Sequence, residues 1–413
     1  MLVFKFGGAS LKDASGIRHV ASIVKQHANN PLLVVVSAIG KTTDQLEQVV
    51  AAARAGKDYR MMLDAILQTH LHLAEELSSP EEIRKKIEKI ISQIEQEATG
   101  PGEYDMIYDQ VVCYGEILSS VLVHHCFSSN GINTHWIDAR KFIATDNTFR
   151  EGKVDWKKTA SAIQDLKPML DQQVVLTQGF IGSTPDGFST TLGREGSDYT
   201  AAIFGSSLQA TSVTIWKDVP GVMSADPKRL PDAIVFEELP YQEAAEMTYY
   251  GASVIHPKTI KPLANKLIPL YVKSFVDVNL PGTKIHQCKV DALPPLFVFK
   301  TNQCLVSCKV TDFSFVTEHQ LSIIFQTISQ ADIKINLMQN SAISFSFCVD
   351  FKETRVLKLI DQLSKLFEVY YNTGLTLITV KNYDQKAFDQ YRNRKGVLLE
   401  QSSRSTLQVL VKD

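Results

Sequence analysis

Near its N-terminus the chain reads Phe4-Lys5-Phe6-Gly7-Gly8-Ala9-Ser10. A lysine late in a strand-like apolar run needs an anion, because an unpaired ammonium in a core is costly. Gly7 and Gly8 let the backbone turn sharply and approach a ligand closely, and Ser10 is placed to cap the helix that follows. A glycine turn, a helix N-terminus and a lysine together make an anion site suited to polyphosphate. The GxxxxGK[ST] spacing is absent, and a tight turn with a solvated lysine is the alternative reading of this segment alone.

A second glycine-rich element runs from Thr190 to Ala202, TTLGREGSDYTAA. Pro185-Asp186-Gly187 before it is a hairpin turn, and Ser197 or Asp198 is placed to cap a helix with free backbone N–H groups. Arg194 beside that start can hold a carboxylate bidentately, although a surface arginine near an ordinary capped helix fits this segment equally. Farther on, Ile215 to Met223 ends a strand in a loop that continues to Asp226-Pro227-Lys228-Arg229. Ligands of open α/β sheets bind beyond the carboxyl ends of strands, where this loop would lie. Glu116, early in a long apolar helix, needs a partner: a substrate ammonium or a salt bridge to another helix.

The elements that must position these groups alternate. Strand-like runs at Leu2–Phe6, Leu32–Ser37, Val174–Thr177, Thr211–Trp216 and Ile268–Lys273 are separated by amphipathic stretches such as Asp13–His27, Asp44–Ala55, Glu81–Glu97 and Val111–Phe127. That order predicts an α/β fold, a mostly parallel sheet between helices, with Pro80 opening one helix and Gly100-Pro101-Gly102 closing it. The texture changes at Leu280-Pro281-Gly282-Thr283. Expected boundaries are a first domain over 1–283, a linker over 284–297, a βαββαβ ferredoxin-like module over 298–374, and half a repeat of it over 375–413.

Composition excludes other classes. The 413 residues carry 43 basic against 45 acidic side chains, a net charge of −2, which offers no reason to expect nucleic acid or an anionic membrane as partner. The longest apolar run, around Pro31–Ile39, falls short of the ~20 residues that span a bilayer, and the N-terminus lacks the pattern of a secretory signal. Six scattered cysteines without CxxC suit a reducing cytoplasm. His124-His125 adjoin on one helix rather than at the i, i+4 spacing of a metal site, and Cys304 and Cys308 share one strand face as packing residues. His256-Pro257 is a helix start.

In register over nearly the whole chain, KFGGAS, VVSAIGKTTD, YGEILSS, GFIGS, TTLGREGSDYTAA, WKDVPGVMSADP and EAAEMTYYGASVIHPKTI resemble the aspartate kinases of the amino acid kinase family. The C-terminal part, most clearly IKINLMQNSAISFSFCVD, resembles that family's regulatory ACT region. The resemblance implies ATP-dependent phosphorylation of the L-aspartate side chain. Lys5, Gly7, Gly8 and Ser10 would meet the ATP phosphates, and Lys217, Asp218, Met223, Lys228 and Lys258 would complete the nucleotide site. Ser37, Thr43, Glu116, Arg194 and Ser197 would bind aspartate, with Glu116 at its ammonium and Arg194 at a carboxylate. Lys5, Arg194 and Asp198 would be catalytic. Mg2+ would rest on ATP oxygens, with no protein metal cage. A feedback amino acid, lysine or threonine, would bind near Ile335, Asn336 and Ser341, and the chain would form a homodimer or higher homo-oligomer in the cytoplasm.

Several positions depart from the family pattern: Ala9 for threonine, Glu195 for glycine, Lys217 for threonine, Met223 for tyrosine, Ser253 for a lysine that Lys258 replaces, and Asn336 for aspartate. Glu195 is expected to point outward. The second ACT module is shortened. These departures motivate an alternative reading, an amino-acid-sensing ACT protein with an inactive kinase fold.

Overall fold

The computed structural model describes residues 1–252, 255–290, 292–311 and 314–412. They form two compact units. The first holds Met1–Val222, Val235–Thr248 and 255–290; the second holds Met223–Ile234, Tyr249–Ala252 and the described residues from 292 onward. The loop expected in the first domain therefore contributes Met223–Ile234 to the second unit.

The first unit is built on a sheet of β1 (Leu2–Phe6), β2 (Leu32–Val36), β3 (Thr134–Trp136), β4 (Val174–Gln178), β7 (Ser212–Lys217), β8 (Glu238–Pro240), β9 (Leu270–Ser274) and β10 (Thr283–His286), with β5 (Ile181–Ser183) and β6 (Ser189–Thr191) as a separate hairpin. The order across the sheet is β3-β4-β2-β1-β7-β9-β10-β8. Neighbours from β3 to β9 are parallel, while β10 runs antiparallel to β9. The expected parallel sheet is present, and β1 lies within it, with Lys5 registered between Val35 and Ile215.

Its helices are α1 (Ala14–His27), α2 (Thr42–Arg54), α3 (Arg60–Glu76), α4 (Glu81–Thr99), α5 (Tyr104–Ser129), α6 (Trp156–Gln164), α7 (Lys167–Leu170), α8 (Gly196–Leu208), α9 (Tyr241–Tyr250, whose end lies in the second unit) and α10 (Pro257–Ala264). Strand alternation explains the placement of Lys5. Phe4 and Phe6 pack with Ile17, Val34, Val36 and Leu118 in one core, so Lys5 points to the opposite face, where α8 covers the sheet. Helix α5 is 26 residues long and apolar enough to cross a membrane, yet 83% of its most apolar window is buried inside the protein. Asp109 and Glu116 interrupt its apolar run in sequence, which hides that length.

The second unit carries an antiparallel sheet in the order β12-β13-β11-β14-β16-β15. Its strands are β11 (Leu296–Lys309), β12 (Ile335–Asn340), β13 (Ser344–Asp350), β14 (Glu368–Lys381), β15 (Val397–Ser402) and β16 (Thr406–Lys412); its helices are α11 (Glu318–Gln330), α12 (Glu353–Leu363) and α13 (Gln385–Arg392). The expected βαββαβ module is there, with three differences. Strand β11 starts at Leu296, so the expected 284–297 linker gives residues to β10 and β11. Strand β14 runs unbroken from Glu368 to Lys381, across the boundary expected between residues 374 and 375. Finally, Leu296–Lys300 pairs with Leu377–Lys381, so the shortened second module takes its fourth strand from the start of β11, which also opens the first module. Cys304 and Cys308 are buried on one face with Val306, as their spacing predicts.

Candidate functional site

A cleft of about 560 Å³ opens where β1, β2 and β7 end. Lys5, Gly8, Ser37, Thr43, Glu116, Arg194, Ser197, Asp198 and Lys217 all line it. Residues spread over more than half the chain therefore converge on one place, brought there by several elements, with Ser197 and Asp198 both arriving on α8.

Two close backbone approaches shape the floor. A Cβ on Gly8 would lie 2.8 Å from the Ala38 carbonyl oxygen, and the Gly40 N–H donates to the Gly8 carbonyl at 3.3 Å. The turns after β1 and β2 can interlock only without a side chain at Gly8. A Cβ on Gly179 would lie 2.4 Å from the Ser197 Cβ, so the same requirement brings the start of α8 against the end of β4.

Lys5 Nζ lies 2.6 Å from Asp198 Oδ1, and Lys217 Nζ lies 3.6 Å from Oδ2. Burial alone would raise the Asp198 carboxyl, but the two ammonium groups outweigh it and hold the group below the usual carboxylate range. Two ammonium groups thus converge on one buried carboxylate at this end of the cleft. Glu116, on α5, is nearly fully buried, and its Oε2 has no hydrogen-bond partner. Burial pushes its carboxyl up to about 8, opposed in part by the Ala38 N–H and the Lys5 charge. A shielded carboxylate oxygen facing a cleft is an acceptor for a cation that the protein does not supply.

Other expected residues are placed differently. Gly7 adjoins the Lys5 ammonium, 3.3 Å from where its Cβ would be. Ser10 is buried in a 3-10 turn at Gly8–Leu11, and Asp13 caps α1 in its stead, accepting from the Gly16 N–H at 2.7 Å. Neither Ser197 nor Asp198 caps α8. The cap residue is Glu195, and both lie in the first turn. Asp218 and Lys258 are exposed in the first unit and are not among the lining residues, while Met223 and Lys228 lie in the second unit, half-buried and exposed respectively. Ser253 lies outside the described residues. His256 does open α10, its Nδ1 accepting from the Lys258 N–H at 3.1 Å.

Glu195 does not point outward. It lines the cleft, adopts a left-handed φ of 54°, and keeps Oε2 shielded from solvent without a hydrogen-bond partner. Sequence reasoning also missed Tyr108, Arg150, Glu151, Phe180 and Thr191, all in the lining. Arg150, another left-handed residue with φ 67°, stacks 4.0 Å over the Tyr108 ring and pairs with Glu47 at 2.8 Å. Its backbone N–H donates to Asp109, which also accepts from the Thr191 N–H and hydroxyl. Burial raises the Asp109 carboxyl to about 6 despite these donors. The polar Phe149-Arg150-Glu151-Gly152 loop was the available signal.

In the second unit, Asn336 is fully engaged. Its Oδ1 accepts from Lys300 Nζ at 2.9 Å, and its Nδ2 donates to Gln303 at 2.8 Å and to Asp350 at 2.9 Å. Ile335 is half-buried, and Ser341 sits in the exposed β12–β13 turn, bonded to Ser344. The crevice beside Ile335, Asn336 and Lys300 holds about 10 Å³, room for one water rather than an amino acid.

Comparison with known proteins bears on this arrangement. Residues 1–274 match the Amino acid kinase family. The chain is 32% identical over 397 residues to the lysine-sensitive aspartokinase 3 of Escherichia coli K12, covering 93% of this chain and 87% of that protein. It is 30% identical to the chloroplastic bifunctional aspartokinase/homoserine dehydrogenase 2 of Zea mays, over 88% of this chain but only 41% of that longer enzyme. Two crystal structures of E. coli aspartokinase III, one with lysine and aspartate and one with aspartate and ADP, superpose over the full chain and 96% of theirs, with TM-scores of 0.85 and 0.84 at 30% identity. With this extent of match and the convergence of the motif residues on one cleft, the chain belongs to the amino acid kinase family, in its aspartokinase branch.

Proposed function

We propose that the chain is an aspartate kinase, transferring the γ-phosphoryl group of ATP to the side-chain carboxylate of L-aspartate to give 4-phospho-L-aspartate, the first step towards lysine, threonine and methionine. The observation that carries this is the cleft itself, where Lys5, Lys217 and Arg194 stand with Glu116, whose Oε2 has no hydrogen-bond partner. One end suits phosphate, the other an amino acid.

The attacking group is an ionised carboxylate at pH 7, with a reference pKa of about 4, so no general base is needed. Its oxygen attacks the γ-phosphorus while the bond to the bridging β,γ-oxygen breaks, and ADP leaves with the electron pair. The barrier is anion meeting anion. Lys5 and Lys217 offset it, acting on charge that spreads over the transferring group, while the Asp198 carboxylate keeps both ammonium groups in place. Arg194 takes a substrate carboxylate, Glu116 the ammonium, and Ser37, Thr43 and Ser197 supply hydroxyl contacts. Gly7, Gly8 and Ser10 form the phosphate turn, and Asp218 and Lys258 serve the nucleotide. Mg2+ would rest mainly on ATP oxygens, with Asp198 the protein carboxylate at that end, and would supply further positive charge to offset the phosphates; because Lys5 and Lys217 already neutralise Asp198, no protein metal cage is needed.

Regulation follows from the second unit. The E. coli relative solved with lysine supports lysine over threonine as the feedback effector. Since the crevice beside Asn336 is too small for an amino acid, its site would be completed by a second copy, and the β12 and β15 edges are the strands such pairing would cover. The enzyme would be a cytoplasmic homodimer or larger. The test of the activity is ADP release that depends on L-aspartate, with the acyl phosphate trapped as its hydroxamate. ATP binding without hydroxamate would favour the sensor reading.

A further inference from the structure

The first unit contains a second cluster of chemically capable side chains, away from the cleft lining. Glu238 stands on β8, His286 at the end of β10, and Cys288 two residues beyond it. Strand β10 pairs in parallel with β8, Lys284 opposite Glu238 and His286 opposite Pro240. Ile285 points into the core with no exposure, so His286 and the residues alternating with it face the other way. This brings one carboxylate oxygen, one imidazole nitrogen and one thiol sulfur within 4.8 Å of one another.

We propose that Glu238, His286 and Cys288 bind a single divalent transition-metal ion of the zinc class, completed by a water or another exogenous ligand. His286 Nε2 lies 3.4 Å from Glu238 Oε1. Ligand atoms about 2.0–2.3 Å from a tetrahedral ion are themselves roughly 3.3–3.7 Å apart, so that separation is already the spacing of a coordination shell. The Nε2 atom is shielded from solvent and has no hydrogen-bond partner, although water would ordinarily satisfy an imidazole on a sheet edge. The donor set of one nitrogen, one sulfur and one oxygen is borderline-soft, which favours Zn2+ or Co2+ over Mg2+ or Ca2+. Glu238 is half exposed, leaving a side open for a fourth ligand.

The charges around the thiol divide. Burial and Glu238 disfavour the thiolate, while Lys284 favours it. A bound cation would settle that balance by deprotonating Cys288, and the Lys284 ammonium costs some of the affinity. Structurally the ion would join β8 to β10 at an edge where Pro240 has no N–H to give the ladder. The site would act as a staple, with no part in phosphoryl transfer.

The test uses the full-length, untagged, metal-stripped protein titrated with Co2+ alone, without nucleotide or amino acid. The expected result is one equivalent of Co2+ bound, with a thiolate-to-cobalt charge-transfer band in the near ultraviolet and intense tetrahedral d–d bands, both removed by one equivalent of Zn2+. Cys288→Ser should abolish the charge-transfer band, and His286→Gln should weaken Co2+ binding by at least about tenfold. Circular dichroism confirms that each variant is folded, and Glu238→Gln provides a third, more exposed position. Absence of the band at stoichiometric metal overturns the proposal. So does a band that survives in Cys288→Ser, since it would arise from another cysteine.

Discussion

Lys5, on the inner strand β1, and Asp198, in the first turn of α8, meet at 2.6 Å with both side chains nearly buried. The pair fixes the cationic end of the cleft to the helix that also carries Ser197. Asp198→Asn should leave Lys5 and Lys217 without their shared anion. We expect kcat to fall by about 10²–10³-fold, as for loss of a group that organises transition-state charge, with a raised KM for ATP and a smaller change in KM for aspartate. Steady-state kinetics with each substrate varied will decide this, and equal loss in both KM values with normal kcat would argue against it.

Glu116 gives a pH-dependent prediction. Its carboxyl sits near 8 in the free protein, so at pH 7 about nine-tenths of the molecules hold it protonated. A substrate ammonium at Oε2 lowers that value, and binding then releases close to one proton. The sign follows: aspartate affinity should rise with pH up to about 8 and then level. Calorimetry of aspartate binding in buffers of different ionisation enthalpy measures the release directly, and proton uptake, or none, would contradict the assignment.

Glu195 holds a left-handed backbone and an unpartnered carboxylate oxygen next in sequence to Arg194. Glu195→Gly should relieve about 1 kcal/mol of backbone strain, seen as a higher Tm. It should also lower KM for aspartate by roughly two- to fivefold, the effect of removing a like charge worth under ~1 kcal/mol from beside a carboxylate site. A higher KM would show instead that Glu195 holds the substrate ammonium.

The Lys300 ammonium on Asn336 occupies an amide oxygen that an incoming lysine would need. Lys300→Met should therefore increase inhibition by lysine, lowering the half-inhibitory concentration about fivefold for one recovered hydrogen bond of ~1 kcal/mol. Activity titrated with lysine, and with threonine as control, tests this. An unchanged lysine response would place the effector elsewhere.

The parallel sheet and the cleft were legible because local signals carried them. Alternating strands and helices pointed to the sheet, while the glycine turns, Lys5 and Arg194 each had a plainer alternative; it was the ordered family motifs that joined Lys5, Glu116, Arg194 and Asp198, and these do share a cleft. What stayed hidden depends on contacts between distant residues. The β11 segment at Leu296–Lys300 completes a module that begins at residue 375, a pairing against sequence order that no local pattern reveals. Arg150 and Glu195 occupy left-handed positions where glycine is the usual residue, so propensity pointed away from them. Helix caps were misplaced as well: Ser10 and Ser197 have capping side chains, but Ser10 lies within the 3-10 turn at Gly8–Leu11 and Ser197 within the first turn of α8, behind the left-handed Glu195.

The account rests on fixed cations overcoming repulsion between a carboxylate nucleophile and ATP, and Lys5 is the most buried of those cations. The decisive measurement is hydroxamate formation from L-aspartate and Mg-ATP by the wild type and by Lys5→Met, with folding of both confirmed. The account predicts robust aspartate-dependent turnover in the wild type and a loss of about 10²–10³-fold or more in the variant. Turnover within roughly twofold of the wild type in Lys5→Met, or no aspartate-dependent turnover in either, would contradict it.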